Sequence, residues 1–105
     1  MIQHVVLLAL EPGHDPAELS EIMQGLEALT AEIAGFTGFQ HGPNKDFEGK
    51  SPGFPYGFIC GFDSAEALHA YAMHPTHQAL GARLVALCTG GADGIMVADL
   101  EVAHG

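Results

Sequence analysis

The sequence is poor in positive charge. It carries three Lys and Arg residues against thirteen Asp and Glu, for a formal net charge of −10. A nucleic-acid surface needs clustered basic side chains to displace counterions, so nucleic-acid binding is excluded, and an anionic membrane face is disfavoured on the same ground. Cysteine is also scarce. Cys60 and Cys88 stand far apart, without a CxxC spacing, so neither a disulfide framework nor a zinc site is expected. Long apolar runs are missing too: Val5 to Leu10 is too short for a signal core or a membrane span, and nothing basic precedes it. The compartment expected by default is the reducing cytoplasm.

What is present is apolar side chain in quantity. Of 105 residues, 48% are hydrophobic and 15% charged. One domain of this length buries somewhat over 60% of its unfolded surface, so some of the apolar surface is expected to meet a partner.

Residues 2–10 read as a strand ending at Glu11-Pro12-Gly13, with Ile2, His4, Val6, Leu8 and Leu10 on one face and Val5, Leu7 and Ala9 on the other. Both faces are apolar, so each needs a cover. Asp15-Pro16-Ala17-Glu18 opens a helix, with Asp15 as cap and Pro16 at the first position. Its stripe runs through Leu19, Ile22, Met23, Leu26, Leu29 and Ile33, and Gly35 closes it. Residues 36–41 read as a short strand and 42–55 as a Gly- and Pro-rich loop holding Lys45 and Lys50. In the next strand Tyr56, Phe58, Cys60 and Phe62 alternate with Gly57, Ile59 and Gly61, and the glycines imply close packing on their face. Ser64 lies in a second helix start. That helix runs to about Met73, Pro75 interrupts it, and a further helical stretch covers about 76–89, ending at Gly90-Gly91. The last strand, about 94–102, is again apolar on both faces.

The order β-α-β-β-α-β is the ferredoxin-like α+β arrangement, a four-stranded antiparallel sheet with helices on one face. A lone copy would leave the second sheet face bare. Each buried apolar side chain there contributes roughly 1.5–3 kcal/mol, so a homodimer through the sheet face is expected.

The opening Met1-Ile2-Gln3-His4-Val5-Val6-Leu7-Leu8, the middle Gly53-Phe54-Pro55-Tyr56, the run Ala70-Tyr71-Ala72-Met73-His74-Pro75-Thr76-His77 and the closing Val97-Ala98-Asp99-Leu100 resemble the stress-responsive dimeric α/β-barrel family. The resemblance spans nearly the whole chain, and Tyr-x-x-His-Pro-x-His is its most specific part. It implies a dimer whose two sheets face each other as a barrel, and a cleft between sheet and helices in each protomer. Among its members is a plant polyketide cyclase that closes an aromatic ring by an intramolecular aldol condensation without metal or cofactor. Carried over residue by residue, the general base falls on His77, the substrate-orienting tyrosine on Tyr71 and a further pocket histidine on His4. A fourth pocket histidine is replaced here by Tyr56, which cannot serve as a base near neutral pH. His74 lies beside His77 as a further substrate contact.

Each candidate also has a plainer reading. Imidazole suits proton abstraction beside a carbonyl, yet His77 could instead bond a nearby carbonyl at the helix break. Tyr71 could be a packed ring, and His4 a core histidine whose polar atoms are satisfied. His74 and His77 are three apart with Pro75 between and no acidic ligand near in sequence, so no metal is expected. His14, His41, His69 and His104 read as solvent or loop residues, and Cys60 as core. Two functional classes follow: a protein that binds a small apolar or aromatic molecule in the cleft, and a cofactor-independent cyclase or lyase acting on a β-carbonyl substrate. A cofactor-free monooxygenase on the same scaffold is a third.

Overall fold

The computed structural model describes residues 1–103; His104 lies outside the described residues. Its strands are β1 (Ile2–Leu8), β2 (Phe36–Pro43), β3 (Tyr56–Phe62) and β4 (Ile95–Glu101), and its helices α1 (Pro16–Ala28), α2 (Ala65–Met73) and α3 (Pro75–Val85). The sheet order is β2-β3-β1-β4, with every neighbouring pair antiparallel. This is the ferredoxin-like fold.

Local chemistry sets the helix boundaries. The Asp15 carboxylate accepts the Ala17 N–H at 2.9 Å, and Ser64 Oγ accepts from Ala67 at 3.1 Å, so both starts are capped. His74 ends α2 in extended backbone, and its Nδ1 accepts the Thr76 N–H to cap α3, with Pro75 at the first position. One residue therefore serves as hinge and cap. The break expected at Pro75 is present, with the preceding residue, His74, leaving the helical region.

Several boundaries differ from the sequence reading. β1 stops at Leu8, not Leu10, because Ala9 is drawn aside: its N–H donates to Gly94 O and its carbonyl accepts from Thr89, while Leu10 bridges to Cys88. α1 ends at Ala28, not Gly35. The chain tightens into a 3-10 turn over Leu29–Ala31 that keeps Leu29 buried. Gly35, at φ +86°, serves the turn into β2 instead. α3 ends at Val85 rather than near residue 89.

The core joins Val6, Leu8, Phe58, Cys60 and Phe62 on one sheet face to Leu19, Ile22, Met23, Leu26 and Leu84 of the helices. α1 and α3 are clamped at their surface by Arg83, which meets Glu18 at 2.9 and 2.6 Å and Glu21 at 3.1 Å. Helical cover ends before β4. Val6 is 2% exposed, whereas Val97, its register partner on the same face, is 49% exposed. On the opposite face Val5, Leu7, Ile59 and Leu100 form an apolar surface with no cover among the described residues, Ile59 37% and Leu100 54% exposed. The glycine spaces of β3 are filled within the chain. A Cβ on Gly57 would stand 2.8 Å from Val6 O, and one on Gly61 3.1 Å from Thr37 Oγ1.

Candidate functional site

His4 projects from β1 toward the helices, at the margin where their cover ends. Antiparallel register sets Asp99 of β4 beside it, and His4 Nδ1 meets Asp99 Oδ1 at 2.5 Å. A carboxylate accepts, so Nδ1 carries the hydrogen and Nε2 of the neutral ring is left with its lone pair. The carboxylate fixes tautomer and orientation together.

Tyr71, on α2, lies under this pair. Its ring is 5.9 Å from that of His4, 5.2 Å from Phe36 and 5.2 Å from Phe62. It is 1% exposed, and its hydroxyl faces Cys60 Sγ at 3.9 Å. Burial raises both groups: the Tyr71 phenol goes far above its ordinary value and the Cys60 thiol is pushed up to about 12. Neither ionises near neutral pH. Tyr71 therefore contributes an aromatic wall here, with its hydroxyl turned into the core.

His77, in the first turns of α3, lies against Tyr71 with ring centroids 4.1 Å apart and the ring planes tilted by 41°. Its Nδ1 lies 3.3 Å from Ala72 O. A carbonyl only accepts, so Nδ1 is again the protonated atom and Nε2 the basic one. Desolvation lowers the His77 pKa; the Ala72 carbonyl opposes this, and the charges of His4 and His74 add to the lowering. The ring is thus neutral at pH 7, as a proton acceptor must be.

The fold brings His4, Tyr71 and His77 together, and His74 stands beside them with its Nδ1 committed to the α3 cap. Tyr56 is elsewhere. It opens β3, four residues along the strand from the Cys60 that pairs with His4, a displacement of roughly 13 Å. There its hydroxyl meets His41 Nδ1 at 2.5 Å. A single cleft lined by His4, Tyr56, Tyr71 and His77 is therefore not what the structure shows. Asp99 is the residue that the site reading left out. Its only local signal is a charge in the otherwise apolar run Met96–Leu100. Among the described residues no group of three or more His, Cys, Asp or Glu is placed to hold a metal ion.

This fold has known counterparts. Residues 2–102 match the Stress responsive A/B Barrel Domain. The chain belongs to that family. Within the stress-responsive A/B barrels it is 26% identical, over 100 residues, to the stress-response A/B barrel domain-containing protein HS1 of Arabidopsis thaliana, across 95% of this chain and 88% of that one. A solved dimeric ferredoxin-like protein of unknown function from Jannaschia sp. CCS1 is 51% identical and superposes with a TM-score of 0.90, covering 96% of this chain and 98% of its own. The fold alone extends to a hydroxynitrile lyase from Passiflora edulis, at 12% identity and a TM-score of 0.79 over 99% of this chain and 94% of that one. No helix among the described residues is long and apolar enough to cross a membrane.

Proposed function

We propose that this A/B barrel protein binds a small apolar or aromatic molecule bearing a phenolic or enolic hydroxyl group, at the open margin between β4 and the helices. The observation that carries this reading is the meeting of two oriented imidazoles, His4 held by Asp99 and His77 held by the Ala72 carbonyl, on the ring of Tyr71. The aromatic wall supplies apolar contact, and each Nε2 supplies one hydrogen-bond position. Titrating histidine-labelled protein with phenols and aromatic β-ketones tests it. The ring signals of His4 and His77 move together on binding, while those of His41 and His69 stay still. Movement of none, or of all equally, removes the proposal.

A catalytic form of the same site is favoured by the neutral state of His77. Its Nε2 would take a proton from the carbon beside a carbonyl, the resulting enolate carbon would bond to a second carbonyl carbon of the same molecule, and the alkoxide would recover the proton from the imidazolium. His4, fixed by Asp99, would accept a hydrogen bond from a hydroxyl of the substrate at its Nε2. Its test is turnover of a linear β-polyketone that His77→Ala abolishes while the fold persists; equal rates in both proteins remove the cyclase reading.

The bare sheet face supports a homodimer closed sheet to sheet. Its shallow depression of about 270 Å³ is lined by Val5, Leu7, Gln40, Pro43 and Ile59 among others, an apolar floor with polar edges. Two buried free thiols, Cys60 and Cys88, fit a reducing cytoplasm.

A further inference from the structure

The two imidazoles of the site are held by partners of different charge. His4 Nδ1 rests on the Asp99 carboxylate, whereas His77 Nδ1 rests on the uncharged Ala72 carbonyl. A positive charge arriving on a ring is balanced across one hydrogen bond at His4 and left unbalanced at His77. Solvent points the same way. The Asp99 side chain is 45% exposed, so the pair is not stripped of water. Desolvation depresses the His77 pKa, and a charge on His4 depresses it further, so a second positive ring is opposed. The other titratable groups around His4 keep their protons: burial raises both Tyr71 on α2 and Cys60, the register partner of His4 on β3. Among the groups that meet at this margin, His4 with Asp99 is the one equipped to take a proton from a ligand.

That difference decides what kind of hydroxyl the site holds. A neutral hydroxyl compound brings no net charge to a protein of net charge −10, whereas a carboxylate arrives already negative beside Asp99. Within the site the hydroxyl O–H bond breaks, its electron pair stays on oxygen, and the proton bonds to His4 Nε2. An imidazolium then lies between the ligand oxyanion and Asp99, and the net charge of the site with its ligand is unchanged. The hydroxyl has to be acidic enough for this exchange to balance. An electron-poor phenol or the enol of a β-dicarbonyl meets that condition; an aliphatic alcohol does not.

We infer that the site binds weakly acidic phenols and enols as their anions, with His4 taking the proton, Asp99 balancing it and His77 remaining neutral. This rests on the binding reading above and on no step at carbon. The probe is 4-nitrophenol, whose phenolate absorbs in the visible while the phenol does not. In buffer at the phenol's own pKa, free ligand is half ionised. Ligand bound to the full chain is expected to show a phenolate-to-phenol ratio at least ten-fold higher, equivalent to about one pKa unit. In histidine-labelled protein, binding should move the His4 ring to the imidazolium pattern and leave His77 neutral. Asp99→Asn, folded by circular dichroism, is expected to return the ratio to within about two-fold of free ligand, since its amide can hold the ring but carries no charge. Binding with an unchanged ratio, a new proton on His77, or an Asp99→Asn protein that ionises the ligand as fully as wild type would overturn the inference and leave the binding site standing. No binding of the phenol to wild type would overturn both.

Discussion

His77 titrates as a consequence of where it sits. Its pKa is depressed from the ordinary 6.5 chiefly by burial. The unfolded chain therefore takes up a proton as pH falls through about 6.5 while the native chain still resists it. Stability from this residue is intact above that pH, declines below it, and stops declining once the native ring also protonates. Thermal melts of wild type and His77→Asn from pH 8 to 5 should show the acid loss reduced in the variant, and an NMR titration of His77 should give a midpoint below 6.5. A midpoint above it contradicts the assigned environment. For Tyr71, removing the hydroxyl breaks only a long contact to sulfur, so Tyr71→Phe is expected to cost under about 1 kcal/mol. Tyr71→Ala empties the space between Phe36, Phe62 and His77 and is expected to cost about 3–5 kcal/mol in urea denaturation. Comparable losses in the two variants would mean that the hydroxyl matters more than its geometry allows.

Boundaries and pairings explain what could be read ahead of the structure. The starts of α1 and α2 were legible because a cap is local: Asp15 and Ser64 each bond a backbone N–H two or three residues on. The end of α1 was not, since Leu26 and Leu29 continue the apolar stripe while the backbone tightens beneath it. His4 was legible as a polar ring on an apolar face. Its partner Asp99 was not, because a contact across 95 positions depends on the register of β1 with β4, which local sequence does not contain. The register of β1 with β3 likewise moves Tyr56 away from His4 and His77, so position along a strand decides what residue type alone leaves open. Gly35 offers a direct check on the α1–β2 turn. At φ +86°, with its absent Cβ directed 2.8 Å from that of Ala67, Gly35→Ala should destabilise by about 1–3 kcal/mol. A neutral substitution there would contradict the turn.

At the level of the whole molecule, one side of the sheet is closed by α1, α2 and α3 and the other by nothing among the described residues. The site and the bare face lie on opposite sides of β1: His4 and Val6 point to the helices, Val5 and Leu7 away. Pairing of two copies would therefore stiffen the strand that carries His4 while leaving the β4 margin open, and ligand binding is expected to persist at every concentration at which the dimer does. The decisive measurement is sedimentation equilibrium of wild type beside Ile59→Asp, which sets a charge on the bare face of β3 between Val5 and Gln40. Wild type at micromolar concentration should run at twice the 11.0 kDa chain mass, and the variant as a folded single chain. A wild type that sediments as a stable single chain, or an Ile59→Asp protein that pairs as tightly as wild type, would contradict the account.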